Sequence, residues 1–216
     1  MYADDSARDV NTLERRERLA QGAIYAVIGV YSLTATGQSL DLGGVINMAD
    51  TSAEPLALIY KAVIAANLAV FPLSVIAVAM WIHRAHANLW NVGIAHLEFT
   101  PGWAIGWYFI PIATYFKPYQ AMRELWQQSH LGDGSNPTDG PTLLKTWWAL
   151  WVMSHFLTII GSLLDAPSGG SDVRLADSIE LLASLAMLGA AVMLTHIVRE
   201  ITNAHAAGIG VAHVFE

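Results

Sequence analysis

The chain has 216 residues, of which 54% are hydrophobic and only 13% charged, with a mean hydropathy of +0.41. It is too apolar and too poor in charge for an ordinary soluble domain. The net charge of −7 offers no basic face to nucleic acid, and the lack of cysteine excludes disulfides, thiolate zinc sites, iron–sulfur clusters and cysteine nucleophiles.

The first eighteen residues mix Arg8, Arg15, Arg16 and Arg18 with Asp4, Asp5, Asp9, Glu14 and Glu17. That is long and acidic for the leading region of a signal peptide, so the apolar stretch at about 19–39 is expected to be an uncleaved first span. Asn11 and Glu14 have the spacing of a capping box, which predicts a short amphipathic helix ahead of it. A second span, 52–81, opens on Thr51, Glu54 and Pro55, and its helical pattern continues to about Asn88.

Residues 99–126, "FTPGWAIGWYFIPIATYFKPYQAMRELW", are apolar yet carry Pro101, Pro111, Pro118, Gly102 and Gly106. The fifteen residues 102–116 are short for a crossing, since about 30 Å of hydrocarbon takes roughly 20 helical residues. The pattern predicts an elbow: a half-helix from Gly102, a break near Pro111, and an interfacial helix from Pro118 to His130 with Met122, Leu125 and Trp126 as its apolar stripe. The alternative is a re-entrant hairpin packed within the bundle. Spans at 143–164, after "DGPT", and 178–199, with Asp177 and Glu180 spaced as a cap, complete the chain. "GDGSNPTDG" (132–140) and "APSGGSD" (166–172) read as polar loops. No internal repeat divides residues 1–216, which are expected to form one membrane domain.

Cationic residues orient such a chain. With four crossings and the N-terminus inside, Arg8, Arg15, Arg16, Arg18, Arg84, Lys117, Arg123, Lys145 and Arg199, nine of the eleven Lys and Arg, share the cytoplasmic side. Only Lys61 and Arg174 lie near the other face. A fifth crossing at 102–116 would erase that bias. The expected fold is therefore all-α, an integral bundle of four transmembrane helices with a cytoplasm-side aromatic elbow, interfacial or re-entrant.

The order Trp81, Arg84, Asn88, then Phe99, Pro101, Gly102, Trp103, Gly106, Trp107, Pro111, Ile112, then Pro118, Met122, Glu124, Trp126 resembles a bacterial membrane family catalogued only as a domain of unknown function. The family pattern often has an Asn where this chain has Thr114. The resemblance implies a multi-span membrane protein, and the expected location is the bacterial cytoplasmic membrane with both termini inside. It assigns no substrate, cofactor or catalytic residue.

Trp81, Arg84 and Asn88, at i, i+3 and i+7, share one side of a helix leaving the membrane, and Glu124 is a plausible partner for Arg84. One account is a clamp that satisfies the elbow's free backbone groups. The other is a pocket in which Arg84, with Trp103, Trp107, Glu124 and Trp126 around it, binds an anionic headgroup or solute. His155, near the middle of the third span, is a candidate by its depth, with Asn67 as the natural interhelical partner. His83 and His86 are i, i+3, a workable but common spacing for two metal ligands; further ligands would have to come from His96, His130, His205 or His213. No ligand motif demands a cofactor, and no nucleophile elbow, P-loop, dinucleotide fingerprint or H-E-x-x-H occurs.

Small-residue stripes at Gly22, Ala26, Gly29 and Thr36, at Ala62/Ala66 and Ala65/Ala69, and at Ala186/Ala190 allow close helix approach, within one chain or between copies. The residues thus fit a non-catalytic scaffold, accessory subunit or lipid-sensing bundle whose partners are membrane lipids, a protein or a second copy. The alternative is a small-solute transporter or channel gated by 102–118, and a haem- or metal-binding redox protein comes third.

Overall fold

A computed structural model describes residues 2–46, 55–94, 96–131, 140–165 and 173–212. The described residues form helices and short connections, with no strand: α1 (Tyr2–Leu42), α2 (Pro55–Asn91), α3 (Pro101–Gly106), two single 3₁₀ turns (Trp107–Phe109 and Ala113–Tyr115), α4 (Lys117–Leu131), α5 (Gly140–Leu164) and α6 (Val173–Ala212). Four of these, α1, α2, α5 and α6, are long and apolar enough to cross a bilayer. The Thr51/Glu54 helix start, most of the 132–140 loop, the 166–172 loop and His213 lie outside the described residues.

Two expected helix starts are corrected. Asn11 and Glu14 cap nothing, because α1 runs unbroken through them; no Gly or Pro occurs before Gly22 to stop it. The Thr12 hydroxyl instead bonds back to the Arg8 carbonyl at 2.7 Å, as mid-helix threonines do. Asp177 is likewise inside α6, which begins at Val173.

The chain divides into two compact units, and α1, α2, α5 and α6 contribute a segment to each. Unit 1 comprises residues 1–23, 74–146 and 193–216. Its core is dense: Leu13, Trp81, Ala85, Ala104, Leu125, Ile197, Val198 and Ile201 are fully buried. The expected α4 stripe of Met122, Leu125 and Trp126 faces this core. Polar ties join the helices within it. Arg16 donates to the Met80 carbonyl at 2.8 Å, and the Gln21 amide to the Thr195 carbonyl at 2.9 Å.

Unit 2 comprises residues 24–73 and 147–192. Here small residues bring helices close. Gly37 lies against the Tyr60 ring, Gly161 against Glu180, and Gly189 against Leu150. Trp147, Trp148, Ala183, Ala186, Met187 and Ala190 are buried, whereas α2 presents Leu58, Ile59, Ile64, Leu68 and Leu73 outward, Leu68 being 80% exposed. A stable aqueous surface does not carry such a run of aliphatic side chains, whereas a lipid-facing one does.

Candidate functional site

The polar end of α2 lies in unit 1, where Trp81, Arg84 and Asn88 are drawn to different partners. Trp81 is fully buried, and its indole N–H donates to the Thr202 hydroxyl at 3.1 Å; that hydroxyl donates to the Val198 carbonyl at 2.9 Å. Arg84 pairs with the Asp9 carboxylate of α1. Asn91 donates to the other Asp9 oxygen at 2.9 Å, and Asn88 donates to the Asp9 backbone carbonyl at 3.4 Å.

The expected Arg84–Glu124 pair is therefore corrected. Because α1 is continuous, it places Asp9 against the end of α2, and Glu124 is committed elsewhere. Its two carboxylate oxygens accept the backbone N–H groups of Glu98 (2.6 Å) and Phe99 (3.1 Å), just ahead of α3. The clamp on the elbow's free backbone exists, but Glu124 supplies it while Arg84 and Asn88 face α1.

The elbow follows the expected order of half-helix, break and second helix. Thr100 caps α3 through the Trp103 N–H, and Pro101 takes the first turn, where its missing donor costs nothing. Pro111 holds Ile110 extended (ψ 116°), and Ile112 then adopts φ 69°, ψ −55°. With Ala113 N–H donating to the Pro111 carbonyl at 2.8 Å, this is a γ-turn of the strained hand, centred on a β-branched residue. Thr114, Tyr115 and Phe116 donate to the Ile110, Ile112 and Ala113 carbonyls. The apex thus pairs much of its own backbone while exposing apolar side chains: Trp103 is 53%, Phe109 74% and Ile112 75% exposed.

Trp103 and Trp107 lie 5.0 Å apart between ring centroids. The Lys117 ammonium sits 5.4 Å from the Phe99 ring and 5.7 Å from that of Trp107, and pairs with Glu98 at 3.3 Å. The Trp90 indole donates to the Phe99 carbonyl at 3.0 Å. Desolvation pushes the Tyr108 phenol above the ordinary tyrosine pKa. Trp126 belongs to a different neighbourhood: buried, it stacks on His130 with centroids 4.5 Å apart. The expected pocket residues thus fall into separate contacts.

In unit 2, the expected Asn67–His155 partnership is also corrected. Asn67 hydrogen-bonds Tyr31. His155 Nδ1 bonds back to the Trp151 carbonyl at 2.8 Å, one turn earlier on α5, and its ring lies 4.1 Å from that of Trp151. A local acceptor one turn away is a cheaper solution than one on another helix.

His83 and His86 do not form a pair of ligands on an exposed turn. His83 is exposed, whereas His86 is fully buried with Nδ1 at 3.1 Å from the Ile82 carbonyl. Among the described residues no group of three His, Asp or Glu side chains is placed to hold a metal ion. Sequence reasoning missed a buried contact between α4 and α6: the Ser129 hydroxyl is 2.6 Å from the Leu125 carbonyl and 2.7 Å from His205 Nε2. Its single proton goes to the carbonyl, so His205 Nε2 carries the proton it donates to the serine oxygen. Asp9 and Asn91 were missed as well. Arg84, Asn88 and Asn91 at i, i+4 and i+7 were the available signal for one polar face.

Four apolar helices long enough to span a bilayer define a multi-pass helical membrane protein. Its sequence matches the family described as "Domain of unknown function (DUF4328)" over residues 47–203, and the chain belongs to that family. The match takes in α2 to α5 and most of α6, wider than the 81–126 stretch that carries the resemblance, and leaves α1 outside. No curated protein and no solved structure matches the chain.

Proposed function

We propose that this protein is a non-catalytic bundle of the bacterial cytoplasmic membrane, with both termini in the cytoplasm and the aromatic elbow as its lipid-docking surface in the inner headgroup region. The observation that carries the proposal is the apex of the elbow, which couples exposed Phe109 and Ile112 to a backbone that pairs within itself. Irregular backbone tolerates hydrocarbon contact only when its amides are already satisfied. Indole rings such as those of Trp103 and Trp107, with a lysine beside them, suit the boundary between headgroups and acyl chains.

The orientation draws support from the distribution of charge. All nine of the cationic residues assigned to the cytoplasmic side belong to unit 1, and Lys61 and Arg174 belong to unit 2. Support for a non-catalytic role comes from the candidate polar groups, since Arg84 and Asn67 are each engaged by a side chain of α1 and His155 by the carbonyl one turn earlier. The proposal admits a second copy as a further partner: Gly22, Ala26, Gly29 and Thr36 on α1, and Ala62, Ala65, Ala66 and Ala69 on α2, face outward, whereas Ala186 and Ala190 are buried.

The test uses a nitroxide on Phe109→Cys, which is then the chain's sole cysteine. In nanodiscs the label should relax with oxygen, which concentrates in lipid, and resist a water-soluble nickel chelate. Trp103→Ala with Trp107→Ala should raise its exposure to the chelate. A label that the chelate already reaches in the parent protein overturns the docking role and favours the water-lined gate of a transporter.

A further inference from the structure

Arg84, Asn88 and Asn91, from one face of α2, converge on Asp9, and the fit is incomplete. The Asp9 carboxylate takes a single guanidinium nitrogen, Nη2, through one oxygen, and the Asn91 amide through the other. Among the described residues, Arg84 Nε is buried without a hydrogen-bond partner. So is Oδ1 of Asn88, a side chain only 2% exposed. The Asn88 amide cannot be turned round to cure this, because its nitrogen faces the Asp9 carbonyl, which can only accept.

The two unmatched groups have a definite chemistry. Arg84 Nε offers a donor without an acceptor, and Asn88 Oδ1 an acceptor without a donor. An ionised carboxylate has no proton to give the asparagine, and both Asp9 oxygens are already committed. A tetrahedral oxyanion that keeps one proton has what is missing: several acceptor oxygens for the guanidinium and Asn91, and one O–H for Asn88. Hydrogen phosphate and phosphomonoesters are of this kind. Arg84, Asn88 and Asn91 lie inside the family match, and Asp9 lies ahead of it.

We infer that Arg84, Asn88 and Asn91 form a phosphate-binding site that the chain's own Asp9 occupies as a tethered competitor, so that a phosphate group seated there frees the first turns of α1 ahead of the buried Leu13. Tethering holds the carboxylate at a high effective concentration, so phosphate reaches the site only against this competition. The apparent affinity is lowered by the fraction of time the latch stands open. The site shares no residue with the elbow, and its failure would leave the docking proposal untouched.

Two sources carry this chemistry, free phosphate and the phosphomonoester headgroup of phosphatidic acid. The experiment places a nitroxide on Asn11→Cys in the full chain, in phosphatidylcholine nanodiscs, at fixed ionic strength maintained with chloride. Inorganic phosphate titrated from solution reports the soluble source, and phosphatidic acid built into the disc reports the lipid. A rise in the mobile fraction of the label in either arm, abolished by Arg84→Gln, supports the inference and names the source. In calorimetry, Asp9→Asn should bind the effective probe about tenfold more tightly than the parent, as a latch closed nine-tenths of the time requires. A label that responds in neither arm overturns the inference, as does a response that survives Arg84→Gln. Equal affinity of a folded Asp9→Asn variant and the parent also overturns it. Should Asp9→Asn fail to fold, the label on the otherwise unaltered chain still decides.

Discussion

Glu124 Oε1 accepts the backbone N–H of Phe99 at 3.1 Å, from a helix that begins only after the elbow has turned back. The same carboxylate holds the Glu98 N–H, so one side chain fixes where the chain enters the elbow. Glu124→Ala should cost about 1–3 kcal/mol, since it strands a donor at the nearly buried Phe99. Glu124→Gln retains one acceptor oxygen but turns an N–H₂ toward the second donor, and should fall between the two. Thermal unfolding in detergent, followed by circular dichroism, checks the order parent, Gln, Ala; equal melting of all three would mean that the clamp holds nothing.

In unit 2 a Cβ at Gly37 would overlap the Tyr60 ring, whereas one at Gly29 would meet nothing within 4 Å. Gly37→Ala should therefore destabilise by about 1–3 kcal/mol, as overpacking does. Gly29→Ala should be neutral or stabilise slightly through helix propensity. Trimming the ring should rescue the first variant: the combination with Tyr60→Ala should show a coupling of about 0.5–3 kcal/mol in a double-mutant cycle.

The parts legible in the sequence were those set by length and by proline. Four apolar runs near the thickness of a bilayer gave the spans, and Pro101, Pro111 and Pro118 gave the order of the elbow's pieces. Pairing between helices was not legible. Periodicity tells which side of α2 carries Arg84, but not whether Asp9 or Glu124 lies opposite, because both are carboxylates outside the apolar runs. The missed cue was negative: no breaker occurs before Gly22, so α1 extends far enough to bring Asp9 to Arg84. His86 shows the same gap. Its place beyond the apolar run suggested water, yet it is fully buried within unit 1.

Ile112 holds a conformation that L residues with a branched Cβ rarely adopt, and its side chain is 75% exposed. Ile112→Gly should relieve about 1–2 kcal/mol of backbone strain while removing little protein packing. The detergent-solubilised protein should melt higher. In nanodiscs the same variant should loosen the apex from lipid, so that a Phe109→Cys label becomes more accessible to the nickel chelate. A variant that melts higher without any change in accessibility would show that the isoleucine contributes nothing to docking.

The Ser129–His205 contact makes the last test, because its protons are accounted for. Ser129→Ala removes the oxygen that receives the His205 Nε2 proton and leaves a buried donor unpaired, at a cost of about 1–3 kcal/mol. His205→Phe alone removes that donor; the Ser129 hydroxyl keeps its bond to the Leu125 carbonyl and loses only an incoming partner. Serine should therefore be the more sensitive member of the pair. The double variant Ser129→Ala/His205→Phe should recover part of the single loss, since replacing both partners by apolar groups avoids the stranded N–H. Chemical unfolding of the four proteins in one detergent gives the cycle. Additive losses would mean that the imidazole takes its hydrogen bond elsewhere and that its tautomer is not set by Ser129.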